Sequence, residues 1–88
     1  MKIKEGFVLR RVAGTWVVLP LSKPTVDFNG MLTLNESAVL IWRMLEVGAT
    51  FDTLIGALTE EYEVEESVAK GDIEKLLEKL RKVGCIEE

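Results

Sequence analysis

The sequence is poor in the residues that perform most protein chemistry. It contains no histidine and a single cysteine, Cys85, among its 88 residues. Without histidine there are no imidazole metal ligands, no Ser-His or Cys-His nucleophile pairs, and none of the commonest general base. One cysteine cannot form an intrachain disulfide. We expect Cys85 to be a small buried hydrophobic residue rather than a reactive thiol.

Long hydrophobic runs are also absent. The apolar stretches at residues 16–21 and 38–42 are far shorter than the roughly 20 residues that span a bilayer. Residues 1–6 (MKIKEG) have no long apolar core after their charged residues, unlike a signal peptide. These features predict a cytoplasmic protein with no membrane partner.

Positive charge is in deficit. Lys and Arg total 11 against 15 Asp and Glu, which gives a net charge of −4. Nucleic-acid binding depends on basic residues that neutralise phosphates, so this balance argues against a nucleic-acid partner. The hydrophobic fraction of 48% and the length of 88 residues predict one packed domain over residues 1–88.

The chain is organised around residues 30–42. Residues 31–34 are β-prone, Asn35 is a favourable helix N-cap, and Glu36 suits the positive end of a helix dipole. The following helix has apolar residues at helical spacing, which predicts a central helix that ends at Gly48. Its predicted core positions are Ala38, Ile41, Trp42 and Leu45.

Strands are predicted before this stretch. Residues 7–12 and 16–21 are rich in β-formers and flank Gly14, which indicates a hairpin. Residues 22–30 have the Pro, Asp, Asn and Gly content of a loop. Residues 31–34 then supply a third strand.

Two further helices are predicted after it, one from the Thr50 cap through Tyr62 and one over residues 67–83. The expected fold class is α+β, with a three-stranded antiparallel sheet followed by three helices, similar to a winged helix-turn-helix. That likeness raises an alternative function, a winged-helix DNA-binding or regulatory protein. Residues 65–83, however, contain equal numbers of basic and acidic residues and are neutral overall. Lys75, Lys79 and Lys82 fall on one side of this helix, either as an ordinary solvated face or as a modest positive stripe that attracts an acidic peptide rather than a duplex.

Two segments resemble the PqqD-like family. Residues 30–38 (GMLTLNESA) are similar to its strand-to-helix signature, and residues 72–77 (DIEKLL), followed by Leu80 and residues 84–86, are similar to its terminal helix and tail. The similarity extends over nearly the whole chain in order and spacing. Cys85 departs from the pattern, because the family more often has a larger apolar residue there.

The resemblance implies a RiPP recognition element. Such a domain is not an enzyme and uses no cofactor or metal. It binds the leader segment of a ribosomally synthesised precursor peptide and presents it to a modifying enzyme, often a radical SAM maturase. PqqD itself serves pyrroloquinoline quinone biosynthesis, which is one pathway that the resemblance suggests.

In the family the leader adds as a strand to the third strand and lies against the third helix. Carried over by position, the peptide-binding residues on the strand are Met31, Leu32, Thr33 and Leu34. Those on the helix are drawn from Asp72, Ile73, Leu76, Lys79 and Leu80. An unpaired strand edge could also support a homo-oligomer.

Overall fold

The computed structural model describes residues 1–21 and 32–88. Its elements in chain order are β1 (Lys2–Ile3), β2 (Phe7–Val12), β3 (Thr15–Pro20), β4 (Leu32–Leu34), α1 (Glu36–Val47), α2 (Phe51–Tyr62), α3 (Glu66–Lys82) and β5 (Ile86–Glu87). The predicted α+β class is confirmed, because an antiparallel sheet in the order β2-β3-β4 precedes the three helices. The loop predicted at residues 22–30 lies outside the described residues.

The β2–β3 hairpin closes on a two-residue turn. Val12 faces Thr15 in the register, and Ala13 and Gly14 between them have φ values of 50° and 80°. Positive φ at both central positions is the pattern of the type I′ turn, whose twist matches that of the strands. Thr15 therefore joins the ladder, and β3 begins one residue before the predicted start.

Strand β4 lies at the edge of this sheet. It pairs with β3 through Trp16 opposite Leu34, Val17 opposite Thr33 and Val18 opposite Leu32. Within the described residues, no other strand pairs with the outer side of β4.

The helix boundaries follow the predicted caps. The Asn35 side chain accepts a hydrogen bond from the Ala38 amide at 2.9 Å, and Thr50 forms a reciprocal capping box with Thr53. Gly48 ends α1 with a φ of 112° and donates its amide to the Met44 carbonyl at 3.0 Å. Only the single residue Asn35 separates β4 from α1, so the cap also sets the turn from strand to helix.

A second, two-stranded sheet joins the ends of the described chain. Strands β1 and β5 are antiparallel, with Lys2 opposite Glu87 and Ile3 opposite Ile86, and the Lys4 amide donates to the Cys85 carbonyl at 2.7 Å. The sequence did not predict this sheet, because two-residue strands are too short to show an alternating pattern. The expected burial of Cys85 is confirmed, and Ile86 beside it is buried as well.

One hydrophobic cluster contains residues from every strand and helix, and the predicted central position of α1 is confirmed by its burial. Trp42 and Leu45 have no exposed surface and pack in the same cluster as Leu54 of α2 and Leu80 of α3. In the described part of the chain, no helix is both long enough and apolar enough to cross a bilayer.

Candidate peptide-binding groove

A cavity of about 220 Å³ opens where β4, the start of α1 and one face of α3 meet. Its apolar lining residues come from β4 and all three helices and are Leu34, Ala38, Ile41, Leu58, Ile73 and Leu76. Its polar lining residues are Thr33, Asn35, Ser37, Asp72, Lys75 and Lys79. We call this cavity the β4–α3 groove.

Local sequence explains how these side chains come together. The Asn35 cap ends β4 and starts α1, so Leu34 and Ala38 lie on either side of the bend, and both line the cavity. On α3, Ile73 and Leu76 are one turn apart and belong to the stripe that packs on the core. Lys75 and Lys79 lie one turn apart on the neighbouring solvent-facing stripe.

The outer edge of β4 gives the groove hydrogen-bonding capacity. Successive residues of an antiparallel strand direct their amide and carbonyl groups alternately towards one neighbour and the other. Of Leu32, Thr33 and Leu34, at least one must therefore turn both groups away from β3. An exposed edge of this kind can accept a further strand through main-chain hydrogen bonds.

The charged residues of the groove have no ion-pair partners within the part of the chain that the structure describes. Asp72, Lys75 and Lys79 are exposed and form no salt bridge there. By contrast, Lys82 on the same helix lies 3.9 Å from the Glu78 carboxylate and does not line the groove.

The structure brings most of the sequence-predicted site residues together. Thr33, Leu34, Asp72, Ile73, Leu76 and Lys79 all line the groove. Leu32 is half-buried beside the core and Leu80 is completely buried within it, and neither lines the cavity. Met31 lies outside the described residues.

Other lining residues were not among the predicted contacts. Lys75 was visible in the sequence only as part of a positive stripe, and its spacing of four from Lys79 was the available signal. Asn35 appeared only as a cap, and Ala38 and Ile41 only as core positions. Ser37 appeared only within the family-like segment 30–38, and Leu58 only within the predicted second helix. Their exposure to a cavity depends on how the helices pack, which spacing along the chain does not reveal.

The one cysteine of the sequence, Cys85, does not line the groove. It has no exposed surface, and burial raises the pKa of its thiol to about 11, against a smaller opposing effect of the Lys4 ammonium. Among residues 1–21 and 32–88, no three His, Cys, Asp or Glu side chains lie close enough to hold a metal ion.

An edge strand beside a helix, with a cavity of apolar and polar lining between them, defines a small α+β domain able to accept an extended chain. The chain belongs to the PqqD family, because residues 15–86 match the family described as coenzyme PQQ synthesis protein D (PqqD). The predicted family resemblance is thereby confirmed. No curated protein matched the sequence.

Two solved structures are similar to the chain over almost its full length. TbiB1 in complex with the TbiA(beta) leader peptide is 24% identical, with a TM-score of 0.77 and coverage of 99% of this chain and 95% of that one. Lasso peptide synthetase B1 complexed with the leader peptide is 25% identical, with a TM-score of 0.75 and coverage of 99% and 96%.

Proposed function

We propose that this protein is a RiPP recognition element that binds the leader segment of a ribosomally synthesised precursor peptide in the β4–α3 groove. The observation that carries the proposal is the position of the groove, which is lined both by β4, whose outer side pairs with no other described strand, and by exposed residues of α3. The two similar solved structures both hold leader peptides, which supports the same class of ligand here.

The groove offers two kinds of contact to an extended peptide. The β4 edge supplies main-chain hydrogen bonds, which provide affinity without depending on side-chain identity. The apolar floor, which includes Leu34, Ile73 and Leu76, can bury a side chain that projects from the added strand. Burial of one large aliphatic or aromatic side chain contributes about 1.5–3 kcal/mol before the cost of ordering the peptide.

The proposed role is binding and presentation, without catalysis by this chain. The absence of histidine from the sequence and the raised pKa of the buried Cys85 thiol support this role. We propose a peptide-modifying maturase as the second partner and, at the finer level, a radical SAM enzyme in the cytoplasm. Membership in the family described as coenzyme PQQ synthesis protein D supports pyrroloquinoline quinone biosynthesis as the pathway to test first.

Proline substitution on β4 tests strand addition. Peptides are first selected on the wild-type protein from a displayed random twelve-residue library. Their affinities are then measured by fluorescence polarisation for Leu32→Pro and Thr33→Pro. The amides of Leu32 and Thr33 point to opposite sides of β4. One of the two prolines therefore removes an outward-facing donor, and the other removes a hydrogen bond from β4 to β3. We expect the variant that keeps wild-type stability to lose about tenfold or more in affinity.

Two matched variants separate backbone from side-chain effects. Leu32→Ala keeps the amide and should lose less affinity than the folded proline variant. Ala38→Leu enlarges a lining residue and should weaken binding by filling the groove. Circular dichroism and urea unfolding check the fold of each protein. The proposed function would be contradicted if the selected peptides bound both the folded proline variant and Ala38→Leu as tightly as they bind wild type.

A further inference from the structure

We propose that the β4–α3 groove selects peptides with two carboxylate side chains at alternate positions, an acidic-x-acidic pattern that faces α3. The inference rests on the proposed function and names the peptide class that the site takes. It depends on the arrangement of charge in the groove, which differs from that of the chain as a whole.

Three sources of positive potential meet at the groove, although the protein carries a net charge of −4. Lys75 and Lys79 line it without ion-pair partners among the described residues. The start of α1 lines it through Asn35, Ser37 and Ala38, and a helix N-terminus favours negative charge.

The amides at that helix start are only partly satisfied. The Asn35 side chain accepts from the Ala38 amide, and the Val39 amide donates to the Asn35 carbonyl. The amides of Glu36 and Ser37 donate to no described residue. The Glu36 carboxylate in this first turn offsets part of the positive potential of the helix start. Lys75 and Lys79 therefore provide most of the attraction for a negatively charged peptide.

The spacing of the lysines fits an added strand. Residues four apart on a helix are separated by about 6 Å along its axis. Side chains two apart on a strand, which share one face, are separated by nearly the same distance, about 7 Å. A strand that pairs with β4 and lies along α3 can thus present consecutive same-face carboxylates to Lys75 and Lys79.

Asp72 limits the pattern to two acidic positions. It lines the groove one turn before Lys75 and would repel a third carboxylate there. The same-face position nearest Asp72 is therefore neutral or basic. Because each exposed pair contributes modestly and is screened by salt, selectivity arises from both pairs together and is greatest at low ionic strength.

The test repeats the twelve-residue library selection on wild type and on the double variant Lys75→Glu/Lys79→Glu. We expect wild type to enrich Asp or Glu two positions apart and the double variant to enrich Lys or Arg at those positions. A selected acidic peptide should bind the double variant about tenfold more weakly at low salt, and lysines in the peptide at both positions should restore affinity.

Lys82→Glu is the control for the single variant Lys79→Glu, because both make the same charge change on α3 but only Lys79 lines the groove. It should leave the affinity for the acidic peptide within about twofold. Asp72→Asn should raise the affinity for peptides with a third same-face carboxylate.

The outcomes separate this inference from the proposed function. If selected peptides lose binding in the folded β4 proline variant and in Ala38→Leu but show no acidic enrichment, the charge pattern is overturned and leader binding stands. An equal effect of Lys82→Glu and the groove lysine variants would also overturn it. If no selected peptide depends on β4 or Ala38, both fail.

Discussion

Cys85 has no exposed surface, although it is close to the end of the described chain. Both of its backbone groups are hydrogen-bonded: the Cys85 carbonyl accepts from the Lys4 amide, and the Cys85 amide donates to the Leu80 carbonyl. The sequence prediction of a small buried hydrophobic residue is confirmed by this position. The cap glycine Gly84 before Cys85 and the apolar Ile86 after it made that prediction possible, whereas the partner strand β1 could not be identified from them.

The raised pKa of the Cys85 thiol makes stability depend on pH at the alkaline end. The thiol ionises near 9.0 when unfolded and near 11 when folded. The unfolded state therefore loses its proton first, and the contribution to stability is complete below pH 9 and declines up to pH 11. We expect the free energy of unfolding of wild type, measured in urea, to fall relative to that of Cys85→Ala across this window. A constant difference between the two proteins would contradict the assignment.

Two glycines of α3 and its C-terminal end should respond in opposite ways to alanine. A Cβ at Gly71, inside α3, would meet no atom within 4 Å, and the same is true at Gly84, where φ is +76°. Gly71→Ala should stabilise the protein by about 0.5–1 kcal/mol through the lower entropy of the unfolded chain. Gly84→Ala should destabilise it by about 1–2 kcal/mol, because φ is left-handed. Urea unfolding midpoints measure both, and stabilisation by both substitutions would contradict the argument.

At the scale of elements, local signals predicted the hairpin and all three helices. Gly14, Asn35, Thr50 and Gly84 each mark a turn or cap through their own side chain or backbone freedom. The β1–β5 sheet left no such signal. Its two strands pair across almost the entire chain, and their side chains acquire a pattern only once they are paired.

The β1–β5 sheet should contribute measurably to stability through Ile86. This residue is 8% exposed and belongs to the main core cluster. Ile86→Ala should lower the free energy of unfolding by about 2–4 kcal/mol, from lost burial and the cavity left behind. Val47→Ala is the control, since Val47 is 84% exposed and its truncation should change stability by less than about 0.5 kcal/mol. If Ile86→Ala lowers the free energy of unfolding no more than Val47→Ala does, the β1–β5 sheet adds little to stability through Ile86.

For the whole molecule, charge is distributed unevenly along the chain. Residues 44–69 contain acidic residues and no Lys or Arg, and they include all of α2 and the start of α3. The exposed lysines that line the groove lie further along α3. This arrangement was readable from the sequence, but the convergence of Lys75, Lys79 and β4 on one cavity required the packing of all three helices.

The acidic net charge predicts that the protein does not bind DNA, the alternative function that the sequence raised. Duplex binding requires basic side chains that displace counterions, and the net charge here is −4. We expect no electrophoretic shift of a random-sequence duplex at low salt, with a basic winged-helix protein as the positive control. A shift that weakens as salt is added would instead favour the DNA-binding alternative.

The pairing of β1 with β5 sets Lys2 opposite Glu87, so the two ends of the described chain are neighbours. Neither end lines the groove. A short peptide linker could therefore close the backbone into a ring, and the Ala13–Gly14 turn, on the far side of the β2–β3 ladder from that closure, offers a place to open it. Such a circular permutant would keep the β4–α3 groove and move the point of fusion to a second protein from the β1–β5 sheet to the tip of the β2–β3 hairpin.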